Sequence, residues 1–165
     1  SNLTRRSTSL PSVAGRCAIK PRSAGHLYVR RHMRILDLLA EAATSRDSDA
    51  LRDAVSNVNQ DYAAAPLLAH ILLEDWHDSH EDIAFELGLI GNPSAIDSIA
   101  KAATIHFEHL VQWNNLQEFQ RKCAYALART GTEESKAALQ QLCLQSDPAL
   151  RQFAEEGLRH WTLTK

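Results

Sequence analysis

The chain has 165 residues, 44% of them hydrophobic and 23% charged, with a formal net charge of −2. That is one domain's worth of sequence, long enough to bury a core of its own. No apolar run reaches about eighteen residues, which excludes a helical membrane span. Three cysteines (Cys17, Cys123, Cys143) are too few for a disulfide scaffold and suit a reducing, cytoplasmic setting.

The small net charge conceals two unlike parts. Residues 1–36 carry eight basic groups and no acid, whereas residues 37–165 carry ten Lys and Arg against twenty Asp and Glu. An acidic body repels phosphate backbones, so a basic protein is the expected partner and nucleic acid is not. Residues 1–32 mix Ser, Thr, Arg, Pro and Gly without lasting periodicity, and Pro11 and Pro21 interrupt any helix. The stretch reads as a non-native or disordered basic segment, with the composition of a transit peptide. Met33, the only methionine, stands where helical patterning begins and is the expected natural start, so the expected domain is 33–165.

From there the punctuation is helical. Ile35, Leu36, Leu38, Leu39, Ala42 and Ala43 follow the spacing of one helix face, ending near Thr44–Ser45. Asp47 or Ser48 caps a second helix running to about Val58, and Pro66 suits the first turn of a third, through Leu73. Ser79 followed by Asp82 has the form of a capping box. Asn92-Pro93 and Asp147-Pro148 each pair an N-cap with Pro at the first helical position, and Thr132 precedes two glutamates in the same sense. No window alternates β-branched residues between turns, so the predicted fold is all-α.

The helix starts fall in a rhythm. A shift of 40 residues lays Ala84 on Ala124, Phe85 on Tyr125, Leu87 on Leu127, Gly91 on Gly131 and Ile99 on Leu139. A two-helix unit of about 40 residues is the spacing of HEAT and armadillo repeats, in which neighbouring pairs stack into one core. The stretches from Leu87 to Ile96 and from Leu127 to Glu134 resemble the inter-helix turn of the HEAT-like family, which includes scaffolds, bilin-lyase-related proteins and inhibitors. Ser146 to Arg151, followed by Ala154 and Leu158, looks like the next unit's first helix. The resemblance covers about residues 79–160, with a weaker pair at 47–75. It implies a short right-handed α-solenoid of about three stacked helix pairs. The Trp-His-x-x-His-Glu-Asp stretch from Trp76 to Asp82 further resembles small bacterial HEAT-repeat proteins of immunity type, which implies a toxin-neutralising role.

Two local features carry the functional expectations. Trp76, His77, His80 and Glu81 cluster at a helix-to-helix corner, and His106 and His109 follow with Glu108 between them. Imidazoles at such spacing beside carboxylates are able to ligate a transition metal, although histidines more often pack, cap or sit in solvent. The second feature is an insertion from Thr104 to Asn115, absent from the matching connection before Asp147. Its Phe107, Leu110 and Trp113 either fold back onto the body or form a contact surface. Phosphate-cradling glycine loops, nucleophile elbows and Cys-x-x-Cys pairs are missing. Cys123 and Cys143 read as buried thiols, and the glycines at 88, 91, 131 and 157 as packing or C-cap positions.

The leading expectation is a non-catalytic, cofactor-free module that binds a basic protein, with an inhibitor or immunity-type role. Its expected binding surface is Trp76, His77, His80, Glu81, His106, His109 and Trp113. The alternative is a metal-dependent or lyase-like enzyme using His77, His80, Glu81, His106 and His109. A third possibility is a fragment of a larger scaffold.

Overall fold

Side-chain caps set several of the helix starts. The computed structural model describes residues 24–161, with side chains from residue 34 onward. Among the described residues there are nine helices and no strand. They are α1 (Ala24–Ser45), α2 (Ser48–Ser56), α3 (Ala65–Leu72), α4 (His80–Ile90), α5 (Ile96–Ala103), α6 (Glu108–Gln112), α7 (Leu116–Thr130), α8 (Glu133–Leu142) and α9 (Pro148–His160). The Asp47, Asn92 and Asp147 carboxamide or carboxylate oxygens accept backbone N–H groups at 3.0 Å, and the Thr132 hydroxyl accepts the Ser135 N–H at 3.1 Å. Each satisfies a donor that a helix start leaves unpaired. Asn92 caps a short 3-10 turn, Pro93–Ala95, which leads directly into α5.

Ser79 departs from this pattern. It precedes α4, but its side chain makes no capping bond and its hydroxyl is buried without a partner. Its backbone N–H is bound instead by the His77 ring, which sets the turn. The first helix also begins earlier than the patterning indicates, at Ala24 rather than Met33. No proline or glycine lies between His26 and Ser45 to stop it. The part of the basic segment up to residue 23 lies outside the described residues.

Positions 40 apart have matching environments. Leu87 and Leu127, Ala84 and Ala124, and Ile99 and Leu139 are all buried. Gly91 and Gly131 both end their helices in the left-handed region, at φ of 65° and 64°, where glycine avoids the Cβ clash. Packing follows the chain order. Helix α4 lies on α7 and α7 on α9, while α3 contacts α5 and α5 contacts α8; α5 also packs on α7, and α8 on α9. The core runs through these contacts, with Leu39, Leu51, Leu72, Ile83, Phe119 and Leu127 fully enclosed.

The last helix is tied down at its end. The Trp161 indole N–H reaches the Thr132 carbonyl at 3.2 Å and the Ser135 hydroxyl at 3.3 Å, so it engages the cap of α8. No described helix is long and apolar enough to cross a membrane.

Candidate functional site

The corner between α3 and α4 is built on two inward-facing imidazoles. After α3 the chain turns through residues 73–79, leaving carbonyls that no helix satisfies. The Ser79 N–H donates to His77 Nδ1 at 3.1 Å, so that nitrogen carries a lone pair and Nε2 carries the proton. His77 Nε2 then donates to the Ile71 carbonyl at 2.8 Å. His80 Nε2 donates to the Glu74 carbonyl at 2.7 Å. The two rings stack with centroids 4.1 Å apart.

Both imidazoles are buried, and both are held neutral. Burial lowers the pKa of His77, and burial reinforced by repulsion from His77 pushes that of His80 down to about 3. These residues form the interior of the corner. His80 has no exposed surface and His77 almost none, so neither ring of the expected binding surface faces solvent.

The insertion closes over this stack. Helix α5 ends at Ala103, and α6 forms a separate short helix. Phe107 lies against His80 at 3.8 Å between centroids, and Phe119 of α7 meets both rings edge-on. His109 is 4.9 Å from His80 and 5.4 Å from Trp113. A continuous row of rings therefore links Trp76, His77, His80, His109 and Trp113. The two readings of the insertion divide by residue: Phe107 and Leu110 are buried, whereas Trp113 is 57% exposed beside an exposed Val111.

The corner and the insertion line one open groove of about 1120 Å³. Glu74, Asp75, Asp78 and Glu108 face it, with Arg46 as the cation among its lining residues. The Glu74 carboxylate accepts the Trp76 indole N–H. Asp78 is held by Arg52 at 2.8 Å and by the Ser48 hydroxyl at 3.0 Å. Burial raises its pKa, but these bonds outweigh burial and leave it below the usual carboxylate range. Trp76 is partly buried against the core.

Of the remaining candidates, His106 also lines the groove and Glu81 does not. Glu81 pairs with Lys122 of α7 at 3.2 Å. His106 is exposed and stands 3.9 Å from Asp147, whose carboxylate is held low chiefly by the Gln120 amide. Among the described residues, no group of three or more His, Cys, Asp or Glu side chains is placed to hold a metal ion. Cys123 is fully buried and Cys143 partly so. Sequence reading missed Phe119, which packs on the stack; its place at the start of α7, just after the insertion, was the available signal.

No family model matches the chain, and neither a curated protein nor a solved structure does.

Proposed function

We propose that the chain is a non-catalytic binding module, a short right-handed solenoid of about three HEAT-like helix pairs, that holds a basic partner protein in the groove between the Trp76 corner and the insertion. The proposed role is of inhibitor or immunity type, in the cytoplasm. The matched environments of positions 40 apart and the stepwise helix contacts support the repeat. The observation that carries the binding role is Trp113, an exposed indole fixed by a row of rings to a buried stack, beside a groove faced by four carboxylates. Aromatic anchors on rigid supports dominate protein interfaces, and carboxylates around them favour cationic side chains.

The test is a titration of isotope-labelled protein with a short peptide of alternating Leu and Lys, followed by NMR. Saturable shifts at the Trp113 indole and at Glu108 and Gln112 support the reading. Shifts confined to another face, or equal shifts with an uncharged Leu and Ser peptide, refute it. Trp113→Ala with Glu108→Lys is expected to abolish the response while leaving helix content unchanged.

One observation favours the enzyme alternative. His80 Nδ1 and His109 Nε2 are both buried and without a partner, on rings 4.9 Å apart. Of the other nominated donors, His77 is engaged through both nitrogens and Glu81 by Lys122, while the exposed His106 stands 3.9 Å from Asp147. An ordered water between the two free nitrogens would satisfy them equally well. Cobalt or zinc binding at stoichiometric level, with a raised melting temperature lost in His80→Gln, would place the metal reading first.

A further inference from the structure

The seam between α4 and α7 carries a second recess, of about 270 Å³, which shares no residue with the groove above. Its floor has almost no side chain. A Cβ placed on Gly88 would lie 3.0 Å from the Ala126 Cα, so the two helices touch there. Phe85 and Tyr125, which stand 40 positions apart in the repeat, also line it. Phe85 is 50% exposed, while Ala84 and Gly88 beside it on α4 are buried.

The charges of the recess are mixed, with one lining cation left without an ion-pair partner among the described residues. Arg121, Lys122 and Arg129 line the recess against Glu118 alone. Two of these cations are already paired, Arg121 with Glu156 at 3.1 Å and Lys122 with Glu81 at 3.2 Å. Arg129 has no carboxylate within ion-pair distance among the described residues. Its guanidinium carbon instead stands 5.9 Å from the centre of the Phe85 ring. An exposed guanidinium over an exposed phenyl offers a charge and an apolar surface side by side.

We propose that this recess binds an acidic segment of a protein, with a carboxylate on Arg129 and the adjacent aliphatic side chain laid on Phe85 above Gly88. Guanidinium and carboxylate match as two parallel hydrogen bonds, a geometry that an ammonium does not offer. The volume suits one or two side chains and is below the usual size of a small-molecule site. Repulsion from the acidic body is screened beyond about 8 Å at physiological salt, so Arg129, the lining cation without an ion pair, acts at contact. The partner class is opposite in charge to that of the first groove, and the two sites fail or stand independently.

The full chain, labelled for NMR, is titrated with a short peptide of alternating Leu and Glu. Saturable shifts at the Gly88, Ala126 and Arg129 amides are expected, with none from the Leu and Lys peptide at those positions. Arg129→Glu is expected to raise the dissociation constant at least tenfold, and the control Lys101→Glu, on α5, to leave it unchanged. Exposed positions make both variants safe for folding, which circular dichroism checks. Absent shifts, shifts on another face, or an Arg129→Glu protein that binds the acidic peptide as well as the parent does would overturn the proposal.

Discussion

Acid should weaken this fold through its buried imidazoles before it reaches most carboxylates. His80 is neutral inside the corner, with its pKa pushed down to about 3, whereas in the unfolded chain an imidazole titrates near about 6.5. Below that unfolded value the unfolded state binds protons that the folded state refuses, so stability falls as pH falls. The contribution is complete above the unfolded pKa and is lost progressively towards the folded one. Between pH 7 and pH 5, His80 alone should remove about 2 kcal/mol, and His77 acts in the same direction. The groups facing the stack push both ways: Asp78 and the Glu74 carbonyl favour the charged ring, while His77 and His109 oppose it. Domains are stable by about 5–15 kcal/mol, so the loss is a sizeable fraction. Urea denaturation at constant ionic strength reads it. With a slope of about 2 kcal/mol per molar, the midpoint should fall by about 1 M for His80's share. His80→Gln keeps an N–H for the Glu74 carbonyl but does not titrate, and should flatten the decline. A midpoint independent of pH in this window, or a His80→Gln protein that declines as steeply as the parent, would refute the reasoning.

Other perturbations address the framework. Leu87→Ala and Leu127→Ala, at matched buried positions, should each cost about 2–5 kcal/mol in the same denaturation assay, and near-neutral results at both would break the 40-residue register. Asn92→Ala, Asp147→Ala and Thr132→Ala should each cost about 0.5–2 kcal/mol through a lost N-cap. Ser79→Ala should be neutral or mildly stabilising, because its hydroxyl is buried with nothing to bond; a loss as large as at the other three would mean that it caps after all.

Capping was legible because it is local. An oxygen at position 92, 132 or 147 and the N–H groups two or three residues on are a self-contained unit, so the sequence displays both halves. Ser79 misled because its competitor, the His77 ring, is a side chain whose direction no spacing rule determines. The same gap explains the site. Histidine reads as polar in any pattern, yet His77 and His80 became interior once their N–H groups found the carbonyls of residues 71 and 74. In the insertion, α6 has five residues, too few for periodicity to tell that Phe107 and Leu110 turn inward and Trp113 outward. The recess on α4 and α7 left a trace in the pairing of Phe85 with Tyr125, but its charge depends on which cations already have partners, a tertiary fact.

The glycines at 88 and 157 bear on α7 from two neighbours. Gly88 of α4 presses on Ala126, and a Cβ on Gly157 of α9 would stand 3.1 Å from the Ala124 carbonyl oxygen and 3.0 Å from Leu139 Cδ2. Two residues along a helix are about 200° apart around its axis, so these contacts grip α7 from nearly opposite sides. A helix clamped in that way cannot roll without driving backbone into backbone. Its rotational phase is therefore fixed, and that phase aims Phe119 at the histidine stack, Lys122 at Glu81 and Arg129 at the outer recess. A methyl group added at Gly157, remote in sequence from both clefts, would press on the backbone of the one helix that lines or supports them both.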